Sequence, residues 1–269
     1  MESVFCCPVC GGALEAEPGR LFCSGGHSFD RSKYGYVNLF LSNQSARKRH
    51  GDDRAMVLSR RDFLDSGAYA PLQEAVCGLL ASKLPGGVLL DVGCGEGYYT
   101  AALQAACPQL RIAGVDLSRE ALRYAHKREA RLELAVASAA RLPLASSALD
   151  ALCCMFAPLE PEEYARVLKP GGLFLRAVVL EEHLMGLKAA VYDHPISNPP
   201  PQEELPGFQL AARQDLRYTL TLEDPAQIQA LFRMTPYYYK TGRADQEKLE
   251  RLTRLETQIA FGVLLYEKA

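Results

Sequence analysis

Three absences limit what this sequence can encode. It contains no apolar run near the roughly 20 residues that a membrane-spanning helix needs. Its first residues lack the basic and apolar regions of a secretory signal peptide. Its formal net charge is only −2, so bulk charge does not single out a polyanionic partner. We therefore expect a chain that works in the cytoplasm without a membrane partner.

The nine cysteines are unevenly distributed. In a reducing cytosol, cysteines serve as metal ligands or buried apolar residues more often than as disulfides. Four of them fall within the first 23 residues, and this clustering needs a local explanation. The other five are scattered through apolar segments and are predicted to pack in the interior.

The clustered cysteines have the spacing of a zinc site. Two close pairs give the pattern C-x2-C-x12-C-x3-H, formed by Cys7, Cys10, Cys23 and His27. Such pairs, separated by a short β excursion, can place four ligands tetrahedrally around Zn²⁺ and leave no open position for catalysis. The pattern therefore predicts a structural zinc ion, without which so small a segment could not fold alone. Cys6 could replace Cys7 only with a wider spacing, so we take Cys7 as the ligand.

The chain divides into a module, a linker and a larger domain. Residues 1–40 are rich in Gly and Cys and have no helical period, whereas residues 41–54 are polar and aperiodic, as linkers are. Within residues 55–269, helices are followed by short apolar strands that alternate with further helices. This order predicts an α/β fold with a mostly parallel, seven-stranded sheet covered on both faces.

The individual elements follow from apolar period and turn residues. We predict helices over residues 55–65, 70–83, 98–106, after Ser118, and near 161–168. We predict strands over 88–92, 111–116, 132–136, 149–155 and 173–179, with two more near 207–218 and 258–267. The five prolines between residues 193 and 207 predict a loop.

A glycine loop follows the first strand, and its sequence is Asp91-Val-Gly93-Cys-Gly95-Glu-Gly97. Glycine is needed where the backbone turns sharply and approaches a ligand closely. The dinucleotide fingerprint Gly-x-Gly-x-x-Gly would require its third glycine at Tyr98, so the loop does not match a pyrophosphate site. Asp116 ends the second strand about 20 residues later, where a carboxylate can accept hydrogen bonds from both ribose hydroxyls. A ligand with a ribose but no pyrophosphate fits both features.

This loop resembles motif I of the class I (Rossmann-like) methyltransferases, which use S-adenosyl-L-methionine. In that family the loop wraps the methionine part of the cofactor, and the aspartate helps to hold its ammonium group. Many relatives carry an acidic residue after the third strand that contacts the adenine amine, but this chain has Ala137-Ser138-Ala139 there. Ser138 or backbone groups could make that contact.

The zinc spacing, the linker and the loop together resemble the bacterial large-subunit (23S) ribosomal RNA guanine-N1 methyltransferases along essentially the whole chain. Further likeness lies in Lys33-Tyr-Gly-Tyr-Val-Asn-Leu39, Arg60-Arg-Asp-Phe-Leu-Asp-Ser-Gly67, His183-Leu-Met-x-Leu-Lys188 and Met234-Thr-Pro236. The resemblance implies a homodimer with a zinc-ribbon-like N-terminal module that modifies a hairpin loop of this RNA. The expected cofactor contacts are Tyr69, Asp91, Gly93, Gly95, Glu96, Gly97, Tyr98, Asp116, Leu117, Ser138 and His183.

Methylation of guanine N1 makes specific chemical demands. N1 lies on the Watson–Crick edge, so the base must be unstacked or lie in a loop. The donor is already activated, so no catalytic metal is needed and alignment can supply much of the rate. N1 must still lose a proton, yet residues 153–158, after the fourth strand, contain no general base. His183, Glu182 and bulk water remain open as the acceptor, and Phe156 could stack on the base.

A basic cluster could contact the RNA, because phosphate contacts are usually made by Lys and Arg. Its members are Arg47, Lys48, Arg49, Arg54, Arg60 and Arg61, and they could equally form a solvated linker. The run Tyr237-Tyr238-Tyr239 could supply stacking faces or could pack internally.

Two other functions are open from the residues alone. One is a methyltransferase for a small molecule or another RNA, with a zinc module that serves only stability. The zinc module and the basic linker argue against it, because a small substrate needs no such platform. The other is an RNA- or protein-binding module with a vestigial cofactor fold. The intact glycine loop and Asp116 argue against it, because an inactive site need not keep them.

Overall fold

The structure is a computed structural model that describes residues 2–41 and 53–269. In the first of these ranges, the regular secondary structure consists of strands. These short strands are β1 (Glu2–Cys6), β2 (Ala13–Glu17), β3 (Arg20–Phe22), β4 (Ser28–Asp30) and β5 (Tyr36–Asn38). The first four form an antiparallel sheet in sequence order, which we call the ribbon. The linker residues Arg47, Lys48 and Arg49 lie outside the described part of the chain.

Helices and strands alternate in the rest of the chain. The helices are α1 (Arg54–Asp65), α2 (Ala70–Lys83), α3 (Tyr98–Ala106), α4 (Arg119–Arg128), α5 (Pro161–Val167), α6 (Met185–Val191), α7 (Pro225–Arg233) and α8 (Arg243–Glu250). The strands are β6 (Gly87–Val92), β7 (Leu110–Asp116), β8 (Glu133–Val136), β9 (Leu149–Met155), β10 (Leu168–Val179), β11 (Phe208–Leu222) and β12 (Leu255–Lys268).

The large sheet has eight strands in the order β11-β12-β10-β9-β6-β7-β8-β5, so the expected number of seven was wrong. The extra strand is β5, which pairs in parallel with β8 and sets Val37 opposite Ala135. This pairing covers the outer edge of β8, whose backbone groups would otherwise be an open template for another strand. Three residues are too few to show a period, so the sequence could not reveal this strand.

The predicted mixed character of the sheet is confirmed. Strand β12 runs antiparallel to both β10 and β11, and the remaining neighbours are parallel. The chain passes from β6 outward to β7 and β8, and then returns to β9 on the other side of β6. Such a reversal of strand order opens a crevice at the carboxyl ends of the strands, where ligands bind in α/β folds.

The ribbon covers part of one face of this sheet. No helix occurs between β8 and β9, where residues 137–148 run as an irregular connection. The ribbon supplies the missing cover, since Phe5, Leu14 and Leu21 are buried in the same apolar cluster as Leu90 and Leu152 of the sheet. The backbone N–H of Cys6 also donates to the carbonyl of Pro143 across 2.7 Å. The ribbon is therefore part of the hydrophobic core of the larger domain.

Helices cover the opposite face. Leu72 of α2, Leu103 of α3 and Leu187 of α6 are buried in a second cluster that includes Phe232 and Phe261. Within residues 2–41 and 53–269, none of the helices combines the length and apolar character that crossing a bilayer would require.

We predict that Phe5→Ala destabilises the whole chain. Removing this fully buried ring leaves a cavity in the shared core, so the free energy of unfolding should fall by about 3 to 5 kcal/mol. Urea unfolding, followed by circular dichroism of the helices, measures the change. Val9→Ala is the control, because this ribbon side chain is 53% exposed and should change stability by less than about 0.5 kcal/mol. An unchanged midpoint for loss of the helices would show that the ribbon is not part of their core.

Candidate cofactor pocket and zinc centre

The four predicted zinc ligands converge in the ribbon. Their ligand atoms all lie within 4.8 Å of one another. The sulfurs of Cys10 and Cys23 are 3.7 Å apart, and the Cys23 sulfur lies 3.4 Å from Nδ1 of His27. Zinc bonds of about 2.0 to 2.3 Å in a tetrahedron imply ligand separations of about 3.5 to 3.8 Å. The side chains therefore fit a zinc ion, with Nδ1 as the histidine ligand, and Cys6 lies outside the group.

Tight turns present these ligands. Gly11 directly follows the ligand Cys10, and Gly26 directly precedes the ligand His27. Their φ angles are 75° and 82°. The Gly11 N–H donates to the Cys7 carbonyl across 2.8 Å, and the Gly26 N–H donates to the Cys23 carbonyl across 3.0 Å. Residues other than glycine rarely adopt such φ values, so these two glycines are what allows the chain to fold back over the metal.

A cavity of about 1210 Å³ opens at the carboxyl ends of the central strands. Pockets for small ligands usually range from about 300 to 1,000 Å³, so this one has room for more than a cofactor alone. It is lined by most of the residues predicted to contact the cofactor: Tyr69, Asp91, Gly93, Gly95, Glu96, Tyr98, Asp116, Leu117, Ser138 and His183. Gly97 does not line it.

The glycine loop turns at the end of β6. Gly93 and Gly95 have φ of 72° and 56°, in the left-handed region. A Cβ atom on Gly93 would lie 2.4 Å from the Cβ of Ala157, so a side chain cannot be accommodated there. Gly97, also left-handed, would bring a Cβ within 2.9 Å of the Ala125 backbone. The third glycine therefore allows close packing of α3 against α4, and its contact with the cofactor stays a prediction.

Asp91 is the buried carboxylate beneath this loop. Its Oδ2 accepts a hydrogen bond from Oγ1 of Thr100 across 2.6 Å, and only 1% of the residue is exposed. Its Oδ1 is buried without a hydrogen-bond partner among the described residues. Burial raises the pKa of Asp91 to about 6, although the Thr100 hydrogen bond acts in the opposite direction. An unsatisfied buried carboxylate oxygen is costly, which fits a site completed by a cationic donor such as an ammonium group.

Asp116 lies at the end of β7. One of its oxygens accepts from the backbone N–H of Gly95 across 2.9 Å, and the other accepts from the N–H of Ser118 across 2.7 Å. Each carboxylate oxygen has two acceptor sites, so capacity remains for the hydroxyls of a ribose. Together, Asp91 and Asp116 offer the acceptors that the amino acid and ribose parts of S-adenosylmethionine need.

Glu96 is held by a partner outside the cavity. Its carboxylate accepts from Nε of Arg128 across 2.5 Å and is almost fully buried. Arg128 also pairs with Asp65 across 2.7 Å and lies over the ring of Tyr98. Glu96 therefore braces the loop against α4 and α1 through its side chain, and its carbonyl oxygen also accepts from Nε of Arg128 across 3.2 Å.

His183 lies among aromatic rings in the cavity wall. Its ring is 4.5 Å from that of Phe261 and 6.3 Å from that of Tyr69. Its Nδ1 accepts a hydrogen bond from the N–H of Ala260 across 3.2 Å. Burial, together with the charge of Lys188, lowers the pKa of His183 to about 3. The ring is therefore neutral with its proton on Nε2, which makes it a hydrogen-bond donor and unsuited to the general-base role considered for it.

Glu182 was considered as an acceptor of the N1 proton and Phe156 as a stacking face for the guanine, and the two lie in different places. Glu182 does not line the cavity, and its carboxylate pairs with Arg217 on the surface. Phe156 lines the cavity, is 47% exposed and has a φ of 64°. Bulky residues adopt this conformation rarely and at some cost, so the backbone is strained in a way that presents the ring at the opening.

The three consecutive tyrosines divide between packing and exposure. Tyr237 donates to Oδ1 of Asn198 across 3.0 Å, and Tyr238 packs its ring on Phe232. Tyr239 is exposed and, like Tyr237, lines the cavity. The Tyr239 ring also packs on that of Tyr238, with ring centres 5.3 Å apart, and its hydroxyl contacts the sulfur of Met56.

Sequence reasoning missed a surface in which cations and tyrosines alternate. Arg61 lies 5.0 Å from the ring centre of Tyr124, Arg123 lies 4.4 Å from that of Tyr34, and two lysines flank the same rings. We call it the basic-aromatic surface, formed by Lys33, Tyr34, Arg61, Arg123, Tyr124 and Lys127. Arg60, next to Arg61 on α1, lines the cavity. These residues come from three distant segments, and only their folding together reveals the cluster.

Comparison with known proteins agrees with this two-part architecture. A family model described as a methyltransferase domain matches residues 89–172. A second model, described as the N-terminal zinc ribbon of RlmA, matches residues 5–47.

Curated relatives extend the likeness to most of the chain. The 23S rRNA (guanine(748)-N1)-methyltransferase of Streptomyces fradiae is 33% identical over 82% of this chain and 80% of its own. YxjB of Bacillus subtilis (strain 168), whose name assigns it provisionally as a 23S rRNA (guanine-N1)-methyltransferase, is 30% identical over 98% of this chain and 96% of its own. Among solved structures, the YcgJ protein of Bacillus subtilis is 16% identical, covers 71% of this chain and 97% of its own, and has a TM-score of 0.48.

We predict that cofactor affinity depends on the ionisation of Asp91. The ionised carboxylate attracts the ammonium group, whereas the protonated form does not. Affinity should therefore be complete above the Asp91 pKa of about 6 and fall about tenfold for each pH unit below it. Calorimetric titration with S-adenosylhomocysteine between pH 5 and pH 8 measures the profile. Asp91→Asn should bind at least about tenfold more weakly at pH 8 and lose the pH dependence. A variant that retains the wild-type profile would assign the dependence to another group.

Proposed function

The chain belongs to the family of 23S rRNA (guanine-N1)-methyltransferases, and on that premise we propose that it methylates N1 of a guanine in a hairpin loop of this RNA. The observation that carries the proposal is the size and composition of the cavity. One end carries the carboxylates Asp91 and Asp116, and the same space continues to the exposed ring of Phe156. The cavity therefore has room for a cofactor and for an unstacked base beside it.

The side chains at the cofactor end suit the parts of S-adenosylmethionine. We assign the ammonium group to Asp91, the ribose hydroxyls to Asp116 and the adenine side to Leu117 and Ser138, which line that part of the wall. His183 lines the same cavity, and its Nδ1 is engaged by the N–H of Ala260, which leaves Nε2–H as the donor available to a ligand. When bound, this cofactor supplies a methyl group on a positively charged sulfur.

The acceptor base must leave its stack before N1 can be reached. Phe156, fixed in its strained conformation at the opening, offers a face on which the base can stack. The basic-aromatic surface offers cations for phosphates and tyrosines for neighbouring bases, which is the composition of single-strand binding sites. Arg60 and Arg61 join the two regions along α1.

We further propose that the enzyme acts as a homodimer in the cytoplasm, as the family resemblance implies. The zinc ion has a structural role, since four protein side chains complete its coordination. Light scattering of the purified chain tests the dimer.

We predict that the protein methylates unmodified 23S rRNA at a guanine N1. Incubation with labelled S-adenosylmethionine should transfer label to the RNA, and primer extension should stop next to one guanine in a hairpin loop. An N1-methylated guanine cannot form a Watson–Crick pair, which is why extension stops. Asp91→Asn is the control, because it should weaken cofactor binding and abolish the stop at low cofactor concentration. Label in the RNA without any such stop would mean a different target atom.

We predict that the basic-aromatic surface contributes to RNA affinity. Arg123→Gln with Lys127→Gln should weaken binding of the hairpin and lower the slope of its salt dependence by about 2, because two phosphate contacts are lost. Arg243→Gln with Arg254→Gln is the matched control, since both arginines are exposed elsewhere on the surface. Filter binding between 50 and 200 mM salt distinguishes the pairs. Equal slopes in the two double variants would exclude this surface from the RNA interface.

A further inference from the structure

One carboxylate in the cavity wall, that of Glu160, makes no hydrogen bond or ion pair with the described residues that would stabilise the fold. Within the described part of the chain, four acidic residues line the cavity. Asp91, Glu96 and Asp116 all accept the hydrogen bonds described above. For Glu160, the described residues provide no side-chain hydrogen bond or ion pair, and the side chain does not cap α5 although it lies at the N-cap position.

The backbone fixes where Glu160 stands. Its carbonyl accepts the N–H of Tyr164 across 3.0 Å. The Tyr164 hydroxyl donates to the carbonyl of Pro158 across 2.6 Å, so both ends of the short segment are bonded to one fully buried residue. Phe156 lies four residues earlier in the same segment, and residues 154–160 all line the cavity. Glu160 is therefore held on the same stretch of wall as the ring proposed to stack on the guanine.

Among the described residues, the other side chains considered as acceptors of the proton are unsuitable. His183 has its Nδ1 lone pair engaged with Ala260. Burial raises the pKa of the Cys154 thiol, which donates to the Ala157 carbonyl across 3.4 Å. Glu182 lies outside the cavity wall. Glu160 thus remains as the carboxylate of the acceptor end.

We propose that Glu160 recognises the Watson–Crick edge of the guanine and accepts the N1 proton; this inference rests on the proposed function. Guanine presents two adjacent donors, N1–H and the 2-amino group, beside the O6 acceptor. A carboxylate can accept both donors at once, and a guanidinium can serve O6. Arg176 of β10 lines the same cavity and is suited to that second contact.

The proton transfer balances without a further reactant. The N1–H bond breaks, and its proton passes to an oxygen of Glu160. The electron pair left on N1 would form the bond to the methyl group, while the methyl–sulfur bond would break with its electrons passing to sulfur and S-adenosylhomocysteine would leave. Negative charge that develops on O6 during this step is stabilised by the Arg176 guanidinium. The protonated carboxyl group then returns its proton to water.

Binding without cofactor tests the recognition step. Two hairpin RNAs are compared, one with the target guanosine and one with inosine, which lacks the 2-amino group. The wild-type protein should bind the guanosine hairpin about tenfold more tightly, as expected for loss of a hydrogen bond to a charged group. Glu160→Ala should remove this preference, whereas Glu162→Gln, an exposed residue on the same helix, should keep it. A preference that survives in Glu160→Ala would overturn the proposal.

Kinetics test the proton transfer. Glu160→Gln should lower kcat by about 100-fold or more, leave the affinity for S-adenosylhomocysteine unchanged and make the rate rise with pH, because hydroxide then removes the proton. Wild-type kcat in this variant would overturn the assignment while leaving the methylated guanine, and so the proposed function, intact. If the wild-type protein itself gives no N1 methylation, the proposed function has failed instead.

Discussion

Both faces of the large sheet must be covered by apolar side chains, and the way one face is covered determines much of this molecule. Helices cover one face, whereas the ribbon takes the place of a helix on the other, beside the irregular connection of residues 137–148. The ribbon is too small to hold its shape without a metal. The zinc centre therefore stabilises the core behind the catalytic cavity as well as its own strands. Ala137 and Ser138 line both that cavity and a second one, which reaches Cys7 and Cys10.

The same arrangement explains why the cavity is built from strained and unsatisfied groups. Strands β6 and β9 end at the point where strand order reverses, and their loops must turn away from each other there. Gly93, Gly95 and Phe156 take left-handed conformations in those turns. Asp91 keeps a buried oxygen without a partner among the described residues. Strained backbone conformations and unsatisfied buried polar groups are concentrated at ligand-binding sites.

The features that could be predicted from the sequence were those set by residues close together in the chain. Cys7, Cys10, Cys23 and His27 were recognisable because metal geometry dictates close spacing, and the glycine loop because backbone turns dictate residue type. Helices α6, α7 and α8 were not predicted, and each depends on partners distant in the sequence: α6 packs on β12 and α8, whereas α7 packs on α1 and α8. Strand β5 was missed for the same reason, because pairing with β8 and not its own pattern makes it a strand.

The roles of single side chains were harder to foresee than their positions. Gly97 had the spacing of a ligand-binding glycine but proved to be needed for helix packing. His183 was correctly placed in the cavity wall, but which nitrogen carries its proton depends on Ala260, which lies 77 residues away. Glu160 had no signal in the sequence, and of the basic-aromatic surface only Arg61 had been named as a candidate RNA contact, because an isolated glutamate and scattered tyrosines acquire meaning only from their neighbours in space.

The charge of the cofactor accounts for the distribution of charge in the cavity. S-adenosylmethionine brings a positive sulfur and an ammonium group, and Asp91 and Asp116 place negative charge at that end. A protonated imidazole in the cavity wall would add positive charge there, and burial prevents this by lowering the pKa of His183 to about 3. The residue can then donate a hydrogen bond without adding charge. The cations of the basic-aromatic surface lie on α1, α4 and the turn before β5, where phosphates can be met without opposing the cofactor. The need to keep positive charge away from the cationic cofactor therefore separates the proposed cofactor end from the surface proposed to bind RNA.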